Sequence, residues 1–162
     1  MRWWWPVVLV AAWLQLSWLS FIQPFGVVPN LVLATIVLAA LRLPASTAVS
    51  LAITGGLILD LAGESWFGWS MAVLVAVVLA IGFVNTKVGW ELDGWWVPVM
   101  LMAAATTIMT LGIWLSVLVN GGQVGWTVVP VKLMIELAAN TVVVLAGRAF
   151  LSRYWPSRGV TN

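Results

Sequence analysis

VPNLVLATIVLAALRLPASTAVSLAITGGLILDLAGE, residues 28–64, is the stretch whose reading decides the fold. It holds two apolar runs separated by the short link Arg42-Leu43-Pro44-Ala45-Ser46. At about 1.5 Å of rise per residue, each run as a helix approaches the roughly 30 Å of a hydrocarbon core, so the stretch reads as a membrane hairpin. Pro29 suits the first turn of a helix, where its missing N–H would have had no partner, and Pro44 biases Leu43 away from the α region. Polar residues are unevenly placed: Asn30 opens the first helix, while Asp60 and Glu64 stand one turn apart at the end of the second. Antiparallel packing would put all three at one membrane face.

A carboxylate deep in a bilayer costs about 2.5 to 3.5 kcal/mol and usually marks a function. The competing reading is that Asp60 lies near the headgroups and simply ends the helix, with Gly63 as terminator.

The composition of the rest of the chain agrees with a membrane body. Of 162 residues, 63% are apolar and 7% are charged, against the roughly 25% charge of a soluble domain. The absence of cysteine and histidine removes disulfides, thiolate chemistry, zinc sites and imidazole catalysis. The first apolar run lacks a small-x-small cleavage pattern and is followed by others, so it reads as a retained helix. Six spans are expected, at about 3–22, 27–41, 46–63, 67–85, 95–119 and 127–151, in one transmembrane domain covering residues 1–162. Short connections make consecutive spans antiparallel neighbours. Only the segment 85–94 is polar enough to be a true loop.

Arg2, Arg42, Lys87, Arg148, Arg153 and Arg158 alternate with basic-free connections in the way that places both termini in the cytoplasm and requires an even number of spans. The thirteen tryptophans fit the same map. Trp3, Trp4, Trp5, Trp95, Trp96 and Trp155 fall at one set of ends and Trp18, Trp66, Trp69 and Trp126 at the other, as an aromatic belt does. No basic stripe supports nucleic-acid binding.

In the sixth span Lys132, Glu136 and Asn140 recur every four residues and share one helical face. Two readings stand. Lys132 and Glu136 neutralise each other within the helix, or the stripe faces the bundle interior and meets Asn30 and Asp60, with Lys132 as counter-ion. Small residues, among them Ala48, Ala52, Gly55 and Gly56, mark where helices approach closely. Thr106, Thr107 and Thr110 have hydroxyls that bond their own helix carbonyls. No Gly-x-Ser-x-Gly elbow, phosphate-cradling glycine loop or convincing metal set is present, so no catalytic, cofactor or metal residue is assigned.

The ordered set Pro29-Asn30-Leu31, then Gly55, Gly56, Asp60 and Leu61, then Ser65 and Gly68 resembles the rod shape-determining protein MreD family. The resemblance is concentrated between residue 28 and about residue 85. It implies a non-enzymatic scaffold of the bacterial inner membrane that binds an MreC-like single-pass protein and other elongation-complex membrane proteins. Such a scaffold helps couple peptidoglycan synthesis to the MreB cytoskeleton. It also implies a six-helix bundle similar to the substrate-binding subunits of energy-coupling-factor transporters. Membership of that second class is the alternative, in which Asp60, Lys132, Glu136 and Asn140 line a ligand pocket. Against it, the first span, with Ala11 and Ala12 among Leu and Trp, lacks the Ala-x-x-x-Ala face usual in such subunits.

Overall fold

A computed structural model describes residues 3–19, 28–62, 66–87, 96–122 and 128–154. Gly63, Glu64, Ser65 and the segment 88–95 lie outside the described residues. Within them all regular structure is helical: α1 Trp4–Leu14, α2 Leu31–Ala40, α3 Ala45–Ala62, α4 Trp69–Lys87, α5 Trp96–Val119 and α6 Val128–Tyr154. α1 continues as a π-helical turn, Gln15–Leu19.

Three segments, Ala45–Ala62, Trp96–Val119 and Val129–Arg153, are long and apolar enough to cross a membrane. The chain is therefore a multi-pass membrane protein by length and composition. The apolar stretches Trp4–Ser17, Leu31–Ala40 and Trp69–Val84 are shorter.

α2 is the axle of the bundle. It touches every other helix, and seven of its ten residues are buried, among them Leu33, Ile36 and Val37 at 0% exposure. A helix that is apolar all round has no face to give to water, and the interior of a bundle is where it packs best. Its ten residues span only about 15 Å, half a hydrocarbon core, so it begins well inside the bundle. The link after it turns at Leu41–Leu43, and the Pro44 carbonyl accepts the first bonds of α3, from Thr47 and Ala48 N–H.

Four of the other helices pair around α2, with α3 lying along α4 and α5 along α6, and α1 packs on α2 and α3. Adjacent glycines in α3 serve two different contacts. At Gly55 an added Cβ would meet Val32 Cγ1 at 2.8 Å and Val8 Cγ1 at 3.4 Å, so this side receives α2 and α1. At Gly56 it would lie 2.3 Å from Met71 Cα and 2.7 Å from Met71 N. The backbones of α3 and α4 touch there, as small residues permit in lipid.

Two tryptophans of the expected belt pack against neighbouring helices. Trp4 is buried in the core, and Trp69 lays its indole on α5 at Gly112, where a Cβ would come 2.0 Å from Trp69 Cε2. Trp3, Trp5, Trp13, Trp66 and Trp96 are exposed. α5 ends in a Schellman motif: Gly122 N–H bonds Val117 O at 2.8 Å, Gly121 N–H bonds Leu118 O at 3.1 Å, and Gly121 takes φ of 76°.

Gly56→Ala should destabilise the protein by about 1 to 3 kcal/mol, because backbone rather than a movable side chain blocks the new methyl. Gly82, whose Cβ would meet nothing within 4 Å, should accept alanine at no cost. Thermal unfolding of the two variants in one detergent checks the contrast.

Candidate functional site

The polar side chains of the bundle gather at two junctions. The first joins the end of α3 to the start of α4. Gly68, at φ of 92°, brings the chain into α4. The first N–H groups of any helix lack intrahelical partners, and in an apolar bundle no water replaces them. Asp60 supplies the partners from a different helix: Oδ1 accepts from Ser70 N–H at 2.9 Å and Oδ2 from Met71 N–H at 3.2 Å. The carboxylate is 5% exposed and sits at the positive end of the α4 dipole, where negative charge is favoured. Gly56, one turn before Asp60, provides the close approach that this reach requires. The spacing Gly56-x-x-x-Asp60 is thus one device: the glycine admits α4, and the aspartate caps it.

The second junction surrounds the start of α2, whose N–H groups emerge inside the bundle. Asn30 is the N-cap, its Oδ1 accepting from Leu33 N–H at 2.8 Å. Gln15 Oε1, from the π-helical end of α1, accepts from Val32 N–H at 3.1 Å. Asn140 Oδ1, from α6, accepts from Asn30 N–H at 2.7 Å. Three side chains from three helices therefore satisfy one helix end. Asn140, 2% exposed, then donates through Nδ2 to Thr106 Oγ1 at 2.9 Å, and Asn30 Nδ2 points to Met109 Sδ at 3.5 Å. One turn along, Thr110 Oγ1 donates to Glu136 Oε2 at 2.6 Å. Thr106 and Thr110 on α5 face Asn140 and Glu136 on α6 as a two-rung ladder.

The structure therefore brings together Asn30, Asn140 and, one rung away, Glu136. Asp60 belongs to the other junction, with backbone donors as its partners. Lys132 is half-buried, and among the described residues it forms no ion pair with Asp60 or Glu136; it is not the counter-ion of either. Glu64 and Ser65 lie outside the described residues. Asn30 meets Asn140, which bonds Thr106, near the middles of α6 and α5, and not the Asp60 junction. The cause is the shortness of α2, which starts half-way through the bundle.

Of the other motif positions, Pro29 precedes the cap and its carbonyl accepts from Leu31 N–H at 3.1 Å. Gly55 and Gly56 are contact points, and Gly68 is a left-handed turn. Gln15 is a participant that sequence reasoning overlooks, and Thr106 and Thr110, expected to bond their own helix carbonyls, bond α6 side chains instead. The available signals were a glutamine inside an apolar run and a Thr-Thr spacing of four that mirrors Glu136 and Asn140. Trp69 Nε1 is buried and has no hydrogen-bond partner among the described residues. No group of three metal-ligating acids, histidines or cysteines occurs among the described residues.

Removing the Asp60 cap leaves two buried N–H groups unpaired, so Asp60→Ala should cost about 2 kcal/mol or more, and Asp60→Asn, with one acceptor oxygen, an intermediate amount. Hydrogen exchange should accelerate at the Ser70 and Met71 amides first. A double-mutant cycle on Asn140 and Thr106 should return a coupling of about 0.6 kcal/mol, with about 1.7 as the ceiling for such pairs in membranes. The same cycle on Lys132→Met and Asp60→Asn should be additive to within roughly 0.5 kcal/mol.

Comparison of the chain with protein-family models, with curated proteins and with solved structures finds no match.

Proposed function

We propose that the chain is a non-enzymatic scaffold of the bacterial inner membrane, of the kind that the resemblance to the MreD family implies. In this reading it crosses the membrane six times with both termini in the cytoplasm. It binds an MreC-like single-pass protein and helps couple peptidoglycan synthesis to the MreB cytoskeleton. One observation carries the reading: the recognisable polar and glycine residues are committed to joining helices. Gly56 and Asp60 lock α3 onto α4, while Asn30, Asn140 and Glu136 tie α2, α5 and α6 together. A body whose polar groups hold its own shape presents surfaces to other proteins. α6 offers such a surface, with Val131, Met134 and Val142 exposed along it. A single-pass helix packing there would exchange lipid contacts for helix contacts.

The competing reading, a substrate-binding subunit of an energy-coupling-factor vitamin transporter, draws on the same polar side chains between α2, α5 and α6. One purification separates the two. The tagged chain, extracted from membranes of a rod-shaped bacterium, should bring down an MreC-like single-pass protein. Met134→Lys, which places a charge on the outward face of α6, should lose that partner at unchanged protein level. Recovery of a small organic molecule by native mass spectrometry, with no elongation-complex protein, would replace the scaffold by the transporter subunit.

A further inference from the structure

α6 is the least enclosed of the three long apolar helices: 11% of its apolar span is buried, against 39% of α3 and of α5. Val131, Met134, Ala138, Val142, Leu145 and Ala149 are exposed along it, and their steps of three and four residues lay them on one helical face. An apolar face in lipid does not by itself name a partner. Lys132 does. It lies inside the apolar segment Val129–Arg153, and one residue's step of roughly 100° from Val131 puts it on the flank of the stripe. Flanking positions are where paired helices exchange charges and choose their partners.

Lys132 is half-buried and meets no carboxylate among the described residues. Asp60 is held by the Ser70 and Met71 N–H groups, and Glu136 Oε2 accepts from Thr110 at 2.6 Å. The other three acids, Glu64, Glu91 and Asp93, lie outside the described residues. Two of them are tied to the wrong end of the bundle. Thr106 faces Asn140 and Thr110 faces Glu136, so the same period sets Lys132 level with Trp114. That is about 27 Å along α5 from Trp96, the residue that follows Asp93 and Glu91 in the chain. Glu64, two residues past the end of α3, enters the test below.

We propose that the α6 face beside Lys132 takes a membrane helix of another protein that carries an aspartate or glutamate at the height of Lys132. This rests on the scaffold reading and adds to it the chemistry by which the partner is chosen. Alone in lipid, the lysine stretches its stem toward the headgroups. A carboxylate on the arriving helix gives the ammonium a partner, and each charge offsets the cost of placing the other in the membrane. A second copy of the chain does not fit, because two copies laid parallel on this face would set like charges at one height.

The tagged full chain, co-expressed with the MreC-like single-pass protein of the same bacterium and recovered from solubilised membranes, tests this. Wild type should bring down that protein, and its membrane helix should contain an aspartate or glutamate. Lys132→Arg should keep the partner, and Lys132→Met should lower its recovery about fivefold at unchanged level of the tagged chain. Lys132→Asp should lose it, and changing the partner's acid to lysine should bring it back. Glu64→Gln should leave recovery as in wild type. Undiminished recovery by Lys132→Met, a partner helix without an acid, or failure of the charge exchange would overturn this proposal and leave the scaffold reading standing. So would a loss in Glu64→Gln equal to that in Lys132→Met, which would make Glu64 the partner of Lys132. A wild type that recovers no single-pass protein would remove the scaffold reading, and this proposal with it.

Discussion

A helix that starts inside an apolar bundle must have its first N–H groups bonded by something other than water, and the fold is arranged around meeting that demand for α2. Gln15, Asn30 and Asn140 each give one acceptor to it. Because they come from α1, from the cap itself and from α6, the demand of one helix end fixes the relation of three segments. An unmet donor in this setting costs as much as the net gain of several ordinary contacts. The alternative arrangements of α1 and α6 are penalised accordingly, and the packing of Leu33, Ile36 and Val37 against all sides of the bundle follows.

The same economy repeats at α4, where Asp60 performs for another helix what Asn30 performs for its own. The two junctions differ in kind. Asp60 brings a carboxyl group to a helix N-terminus, and each of its two oxygens accepts from one backbone donor. The α2 junction is a relay of neutral amides and a hydroxyl, passing from Asn30 through Asn140 to Thr106. Both are anchored by residues that sequence patterns mark as polar in apolar surroundings, and both replace solvent rather than create a reactive centre.

Much of the architecture was legible because lipid imposes simple rules. Pro44, Arg42 and the apolar run lengths mark the hairpin, and the small residues Gly55 and Gly56 mark a close helix approach. The partner of Asp60 was not legible, because a backbone N–H has no letter in the sequence; a charged residue invited a charged partner, and Lys132 was at hand. The partners of Asn30 are not legible because apolar run length does not give helix length: α2 stops at ten residues, and its start meets α6. A threonine in an apolar helix is expected to bond its own helix, as Thr107 does to Ala103 O, whereas Thr106 and Thr110 bond α6 side chains. Which threonine turns outward depends on helix rotation, and rotation is set by packing that no local pattern records.

The ladder between α5 and α6 has a period of four on both sides, and a period by itself does not choose an alignment. Slid by one turn, α6 would still set an amide or carboxylate opposite a threonine. What removes the ambiguity is the bond from Asn30 N–H to Asn140 Oδ1, which only one alignment can make. The buried end of α2 thus acts as a vernier mark for α6, whose buried described residues are Asn140 and Val144 alone and which has little apolar packing of its own to fix its height.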